Sequence, residues 1–159
     1  MAWNNLVFTH KLVNVSLGPV TTNGGVTSDV VSLKHAIRAT FIVDLTQAVG
    51  HATVVSLRQA TAVDGVTNAA GPTSLIWANE DVAASDTLVS QTAAASYTVT
   101  ANIKKKQIVI EVDPATLTDG YDCVYLTVSD SSQATNFVNA NVLIRSNFQQ
   151  ATPPAAITD

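Results

Sequence analysis

The sequence predicts an all-β chain: an antiparallel two-sheet sandwich, jelly-roll-like, with eight or nine strands and at most one short helical turn, near 113–118. Three observations carry that prediction. The chain holds 22 Val, 20 Thr and 8 Ile among 159 residues. About a third of it is therefore β-branched, which favours strands over helices. Apolar and polar residues alternate with a period of two through most of the length. Clusters of Gly, Pro, Asn and Asp interrupt the alternation roughly every 8–15 residues, as in a sandwich. A parallel sheet would need crossover helices, and no segment has the helical period.

The elements follow in order. The first strand is predicted over about residues 7–17, with Val7, Thr9, Lys11, Val13, Val15 and Leu17 on one face. Gly18-Pro19 is expected to end it, and Thr21 to Gly25 to form a loop. A long strand is predicted over about 35–45, with Ile37, Ala39, Phe41 and Val43 on one side and Ala36, Arg38, Thr40 and Asp44 on the other. Gly50 opens the next, about 51–60. Ala62 to Pro72 reads as a loop, Leu75-Ile76-Trp77 as a short apolar segment, and Asn79 to Asp86 as an acidic turn. Strands are then expected at about 87–92 and 96–103, the latter with Tyr97, Val99, Ala101 and Ile103 in register. Lys104, Lys105 and Lys106 lead into a strand over about 107–112, with Ile108, Ile110 and Val112 inward. Asp113-Pro114-Ala115-Thr116-Leu117 predicts the helical turn: Asp is a good N-cap, and Pro fits the first helical position. The last strands are expected at about 121–129 and 136–145, the final one placing Phe137, Asn139, Asn141 and Leu143 on one face.

This pattern divides the chain into an N-terminal arm (1–6), a β-sandwich domain (7–146) and a C-terminal tail (147–159). Charged residues are 13% of the chain, against about 25% in an average domain. The formal charge of −4 argues against nucleic acid as a partner. No apolar run approaches a membrane span, so no membrane is expected. Residues 1–10 lack the basic and long apolar regions of a signal peptide, which leaves the sequon Asn14-Val15-Ser16 without weight. One cysteine rules out an internal disulfide framework and any cysteine-based zinc site.

Candidate chemistry is sparse. His10, His35 and His51 have no metal-ligand spacing. Glu111 and Asp113 share a strand face, as paired acids of a glycosidase could. Asp119, Asp122 and Asp130 do not match a calcium loop. Cys123 is expected to be a buried, inert thiol. Lys104 to Lys106 reads as a solvated turn, and Asn136, Asn139 and Asn141 bring three amides close together. Trp77, Tyr97 and Tyr125 with those amides are what a carbohydrate-binding sandwich would use. No catalytic, cofactor-binding or metal residue is assigned, and no cofactor is expected. The candidate capsid or inter-subunit interface is the apolar set at the two ends: Trp3, Leu6, Phe8, Phe148, Pro153, Pro154 and Ile157.

Two stretches carry a family resemblance. One is His35-Ala-Ile-Arg-Ala-Thr-Phe-Ile-Val-Asp44 running into Val54-Val-Ser-Leu-Arg-Gln-Ala-Thr-Ala-Val-Asp-Gly65. The other is Ile108-Val-Ile-Glu-Val-Asp-Pro-Ala-Thr-Leu-Thr-Asp-Gly-Tyr-Asp-Cys-Val-Tyr-Leu-Thr-Val128. Over roughly residues 33–146 the chain resembles capsid decoration, or cement, proteins of tailed bacteriophages, a family of auxiliary virion structural proteins. The resemblance implies a non-enzymatic protein on the outer surface of the capsid in the virion. Its implied partners are the major capsid protein and itself, as a homodimer or homotrimer. The alternatives are another phage structural module (a head fibre base, a tail or a receptor-binding component) or the carbohydrate-binding sandwich.

Overall fold

The computed structural model describes residues 10–147. Its elements are strands β1 (His10–Thr21), β2 (Val26–Thr27), β3 (Val31–Ser32), β4 (Ala36–Thr46), β5 (Thr53–Ala60), β6 (Asn68–Ala70), β7 (Leu75–Asn79), β8 (Val89–Ser90), β9 (Ser96–Val99), β10 (Lys105–Val112), β11 (Cys123–Val128) and β12 (Phe137–Ser146). One 3₁₀ turn, Pro114–Thr116, follows β10. Eight of the strands have four or more residues, which matches the expected eight or nine; the other four are short edge pairings. The fold is an antiparallel two-sheet sandwich. Sheet I has the order β1-β12-β4-β10-β7-β8, and sheet II the order β2-β11-β5-β6, with β3 also beside β11 and β9 beside β5.

The alternation seen in the sequence is what closes the sandwich. β4 turns Ala39, Phe41, Val43 and Leu45 inward, and β10 turns Ile108, Ile110 and Val112 inward. They meet Val55, Leu57, Val124, Leu126 and Val128 of sheet II in one core. Sheet II has a second, smaller cluster on its other face, where Val30 and Val63 pack on Ala60, Cys123 and Tyr125. The helical turn forms as expected: Asp113 caps it, its Oδ1 accepting from the Ala115 N–H at 2.9 Å.

Three local expectations are corrected. β1 does not stop at Gly18-Pro19 but continues to Thr21. It absorbs those residues in register shifts after Asn14 and after Leu17, and an edge strand tolerates the missing N–H of Pro19. Ile37 does not join the inward face of β4. The β4–β12 register slips between Arg38 and Ala36, which leaves Ile37 exposed. β9 ends at Val99, so Ala101 and Ile103 do not continue it. The chain from Thr100 instead folds back over Gly50, where a Cβ would lie 2.6 Å from the Ala101 carbonyl oxygen.

Candidate functional site

The polar residues singled out in the sequence are mostly committed to holding the fold. Glu111 Oε1 accepts from Arg38 Nη1 at 2.7 Å, while Asp113 is the cap described above. Both border a groove of about 160 Å³ with Thr73, Ser74 and Leu75. An ion-paired acid beside a capping acid is not arranged as a general acid and base. Asp122 pairs with Lys34 at 3.2 Å. Asp130 Oδ1 accepts from the backbone N–H groups of Ser132 and Gly24, both at 2.6 Å, and these bonds hold its carboxyl below the usual range. His10 and Arg38 flank the same pair position, Arg145, whereas His51 follows the opposite end of β4. Among the described residues, no group of three or more His, Cys, Asp or Glu is placed to hold a metal ion, and no helix is long and apolar enough to cross a membrane.

Cys123 is buried, and burial together with its bond to Asp122 (Sγ to Oδ1, 3.0 Å) pushes the thiol up to about 12. The nucleophilic thiolate is therefore scarce at neutral pH. The native protein is expected to leave a thiol reagent such as Ellman's reagent unconsumed over hours at pH 8, then to titrate one thiol per chain in denaturant. Rapid labelling of the folded chain would contradict this account.

The three-lysine segment divides in the structure. Lys104 Nζ pairs with Asp81 Oδ2 at 2.6 Å, and Lys105 is exposed. Lys106 is not solvated: its side chain is 0% exposed. Its ammonium donates to the carbonyl oxygen and to Oγ1 of Thr100, the latter at 2.8 Å, and pairs with Glu80 Oε2 at 2.9 Å. Glu80 also accepts from the Tyr97 hydroxyl and the Thr100 hydroxyl, each at 2.8 Å. Burial alone would raise the Glu80 carboxyl, but the bonds from Lys106, Tyr97 and Thr100 and the Lys106 charge hold it low. This cluster clamps β10 of sheet I to the β9 edge of sheet II. The sequence carried one signal of it: period-two alternation extended back from Ile108 puts Lys106 on the inward face.

The amides divide too. Asn136 is buried, and its side chain both donates to and accepts from the Val49 backbone, at 2.9 Å each way. Asn139 and Asn141 share one face of β12, as expected, and that face is the outer one. The three aromatics do not converge. Trp77 lies on the outer face of sheet I, Tyr97 is in the clamp, and Tyr125 belongs to the small cluster on sheet II. A shared stacking platform is therefore not formed.

What the strand register does assemble is an outer face on sheet I, from residues scattered along the sequence. From β1 to β7 one row reads Leu12, Leu143, Thr40, Glu111, Leu75, and the next reads Asn14, Asn141, Ile42, Val109, Trp77. Leu12 and Leu75 are 67% and 53% exposed. The outer face of sheet II carries its own loop-covered cluster, whereas no such cluster covers sheet I among the described residues. The face ends at one corner where His10 of β1 pairs with Arg145 of β12. The candidate interface residues Trp3, Leu6, Phe8, Phe148, Pro153, Pro154 and Ile157 lie outside the described residues.

No protein-family model matches the chain, and no curated protein matches it. Among solved structures the chain is similar to one described as the crystal structure of SPBc2 prophage-derived protein YomS. The TM-score is 0.48 and the sequence identity 12%, over 90% of this chain and 100% of that one.

Proposed function

We propose that this protein is a non-enzymatic structural component of a tailed-phage virion, which decorates the outer surface of the capsid by binding the major capsid protein. The observation that carries the reading is the outer face of sheet I, which no loop cluster covers among the described residues and which exposes Leu12 and Leu75. A cement protein needs a rigid body with adhesive segments, and the apolar residues of 1–6 and 147–159 are the segments proposed for that role. Linked contacts of that kind reinforce one another through effective concentration. The resemblance of residues 35–65 and 108–128 to decoration proteins supports the same role. So does the low charge, because interface cores are depleted in charged residues.

The test is to mix the purified protein with undecorated heads and sediment them. Co-sedimentation at a fixed ratio to the major capsid protein is expected; protein left in the supernatant would count against the proposal. Deleting residues 1–6, or 147–159, is expected to leave the body folded while weakening attachment at least tenfold. The second deletion removes one body contact, the bond from Asn147 N–H to the His35 carbonyl oxygen at 2.8 Å. Truncated protein that protects heads against heat as well as the full chain does would remove the arms from the mechanism. A virion map with this chain's density on the tail alone would replace the capsid role with the other phage modules.

A further inference from the structure

We propose that Asn23-Gly24, in the turn between β1 and β2, is a latent site of asparagine deamidation, and that Asp130 is the group that keeps it closed.

The fold itself places the reactive pair. The Gly25 N–H donates to the Thr22 carbonyl oxygen at 3.1 Å, so residues 22–25 form a β-turn with Asn23 and Gly24 at its centre. Gly24 has φ +84°, the conformation a type II turn requires at its third position and one that glycine takes without steric cost. Asn23 is the one asparagine of the chain that is followed by glycine. Both residues are exposed, and a Cβ on Gly24 would meet nothing within 4 Å, so water reaches the pair freely.

The chemistry needs only this pair and water. The Gly24 nitrogen, having given its proton to hydroxide or buffer, attacks Cγ of Asn23. The new N–Cγ bond closes a five-membered imide, the Cγ–Nδ2 bond breaks, and ammonia leaves. Water then opens the imide. Opening at Cγ leaves an aspartate, and opening at the main-chain carbonyl leaves an isoaspartyl linkage. A side chain on the following residue would hinder the attack, and glycine has none.

Asp130 opposes the first step in two ways. Its Oδ1 accepts from the Gly24 N–H at 2.6 Å, which aims that nitrogen at the loop after β11. The same oxygen accepts from the Ser132 N–H at 2.6 Å, and the two bonds keep the carboxyl ionised. A carboxylate is far too weak a base to deprotonate an amide. Its negative charge instead disfavours the amide anion that the attack requires. The closed state matters to the fold because the neighbouring Thr22 is 1% exposed and fully engaged. Its N–H donates to the Asn136 carbonyl oxygen at 2.9 Å, its carbonyl oxygen accepts from the Ser131 N–H at 3.0 Å, and its hydroxyl donates to Ser131 Oγ at 2.7 Å. An isoaspartyl linkage adds a methylene to the main chain directly beside this lock.

The test is to incubate the full chain at pH 8 and 37 °C, folded and unfolded in guanidinium, and to follow Asn23 by peptide mass mapping with isoaspartate detection. The folded parent is expected to convert at least about tenfold more slowly than the unfolded chain. Asp130→Ala should convert about tenfold or more faster than the folded parent, the rate equivalent of losing a hydrogen bond to a charged group. Asp130→Asn keeps an oxygen for the two N–H groups and removes the charge, so its rate should lie between. Asp64→Ala, on another exposed turn, should change nothing. Urea midpoints confirm which variants are folded; should Asp130→Ala fail to fold, Asp130→Asn decides alone. A folded parent that converts at the unfolded rate overturns the proposal. So does an Asp130 variant that converts at the parent's rate. An acceleration matched at the exposed Asn68 and Asn102 would show general loosening and overturn it too.

Discussion

Replacing Lys106 by Met is expected to cost about 3 kcal/mol of folding stability, as measured by urea unfolding. The methionine keeps the apolar stem but removes an ammonium that is 0% exposed and held by Glu80 and Thr100. Glu80 would then keep its charge with only Tyr97 and Thr100 to satisfy it. Removing the buried cation leaves a half-buried carboxylate short of the charge that offset its desolvation, which is why the cost exceeds that of a surface ion pair several-fold. Glu80→Gln should cost a similar amount for the reciprocal reason. The Glu80→Gln/Lys106→Met double variant should cost at least about 1 kcal/mol less than the sum of the two, because the second change removes the group that the first left stranded. Strict additivity would show that the clamp is not a pair. The pH dependence has a definite sign. Glu80 is held below its ordinary value, so its contribution is present above the unfolded pKa of about 4.5 and is lost as pH falls through the folded value. Glu80→Gln should therefore flatten part of the acid arm of the stability profile. Part will remain, since Asp81 and Asp130 are lowered as well. On the alkaline side Tyr97 is raised from 10 to about 12 by burial and by the adjacent Glu80. Its contribution is complete below pH 10 and disappears as pH rises towards 12.

Phe41→Ala should be more damaging still, at about 4 kcal/mol. Phe41 is 0% exposed at the middle of β4, between β12 and β10. Its ring fills the space where the two sheets meet, and an alanine would leave a cavity that neighbouring strands, fixed by their ladders, cannot close. For a domain of this size that corresponds to a fall in Tm of roughly 8–16 °C. The neighbouring Thr40→Ala, on the outward face, should stay within about 0.5 kcal/mol of the parent when measured in the monomer. The contrast between adjacent residues of one strand is the direct check. A loss below about 1 kcal/mol at Phe41 would mean that this core is not packed as described.

The legibility of this protein in its sequence differs from residue to residue. The inward set Ala39, Phe41 and Val43 is visible because a strand's side chains alternate whatever the strand pairs with. The cap at Asp113 is visible because capping involves only the next few residues. Ile37 is not, because the slip that exposes it belongs to the pairing of β4 with β12, about a hundred residues away in sequence. Lys106 is not visible either, because its charge argues for solvent against the alternation that places it inward. The residue that makes its burial tolerable, Glu80, lies on a different loop. The outer face is the largest omission. Leu12, Leu143, Ile42, Val109 and Trp77 lie on five strands, and nothing local brings any one of them to another.

The sequence by itself determined that the chain is an all-β sandwich, which faces of its long strands point inward, and where the one helical turn begins. All of these follow from backbone geometry and neighbouring residues. Only the tertiary structure decided the strand order, the Lys106 clamp, the separation of Asn136 from Asn139 and Asn141, and the rows on sheet I. Those depend on register between distant strands, and register is set by how whole faces bury against one another.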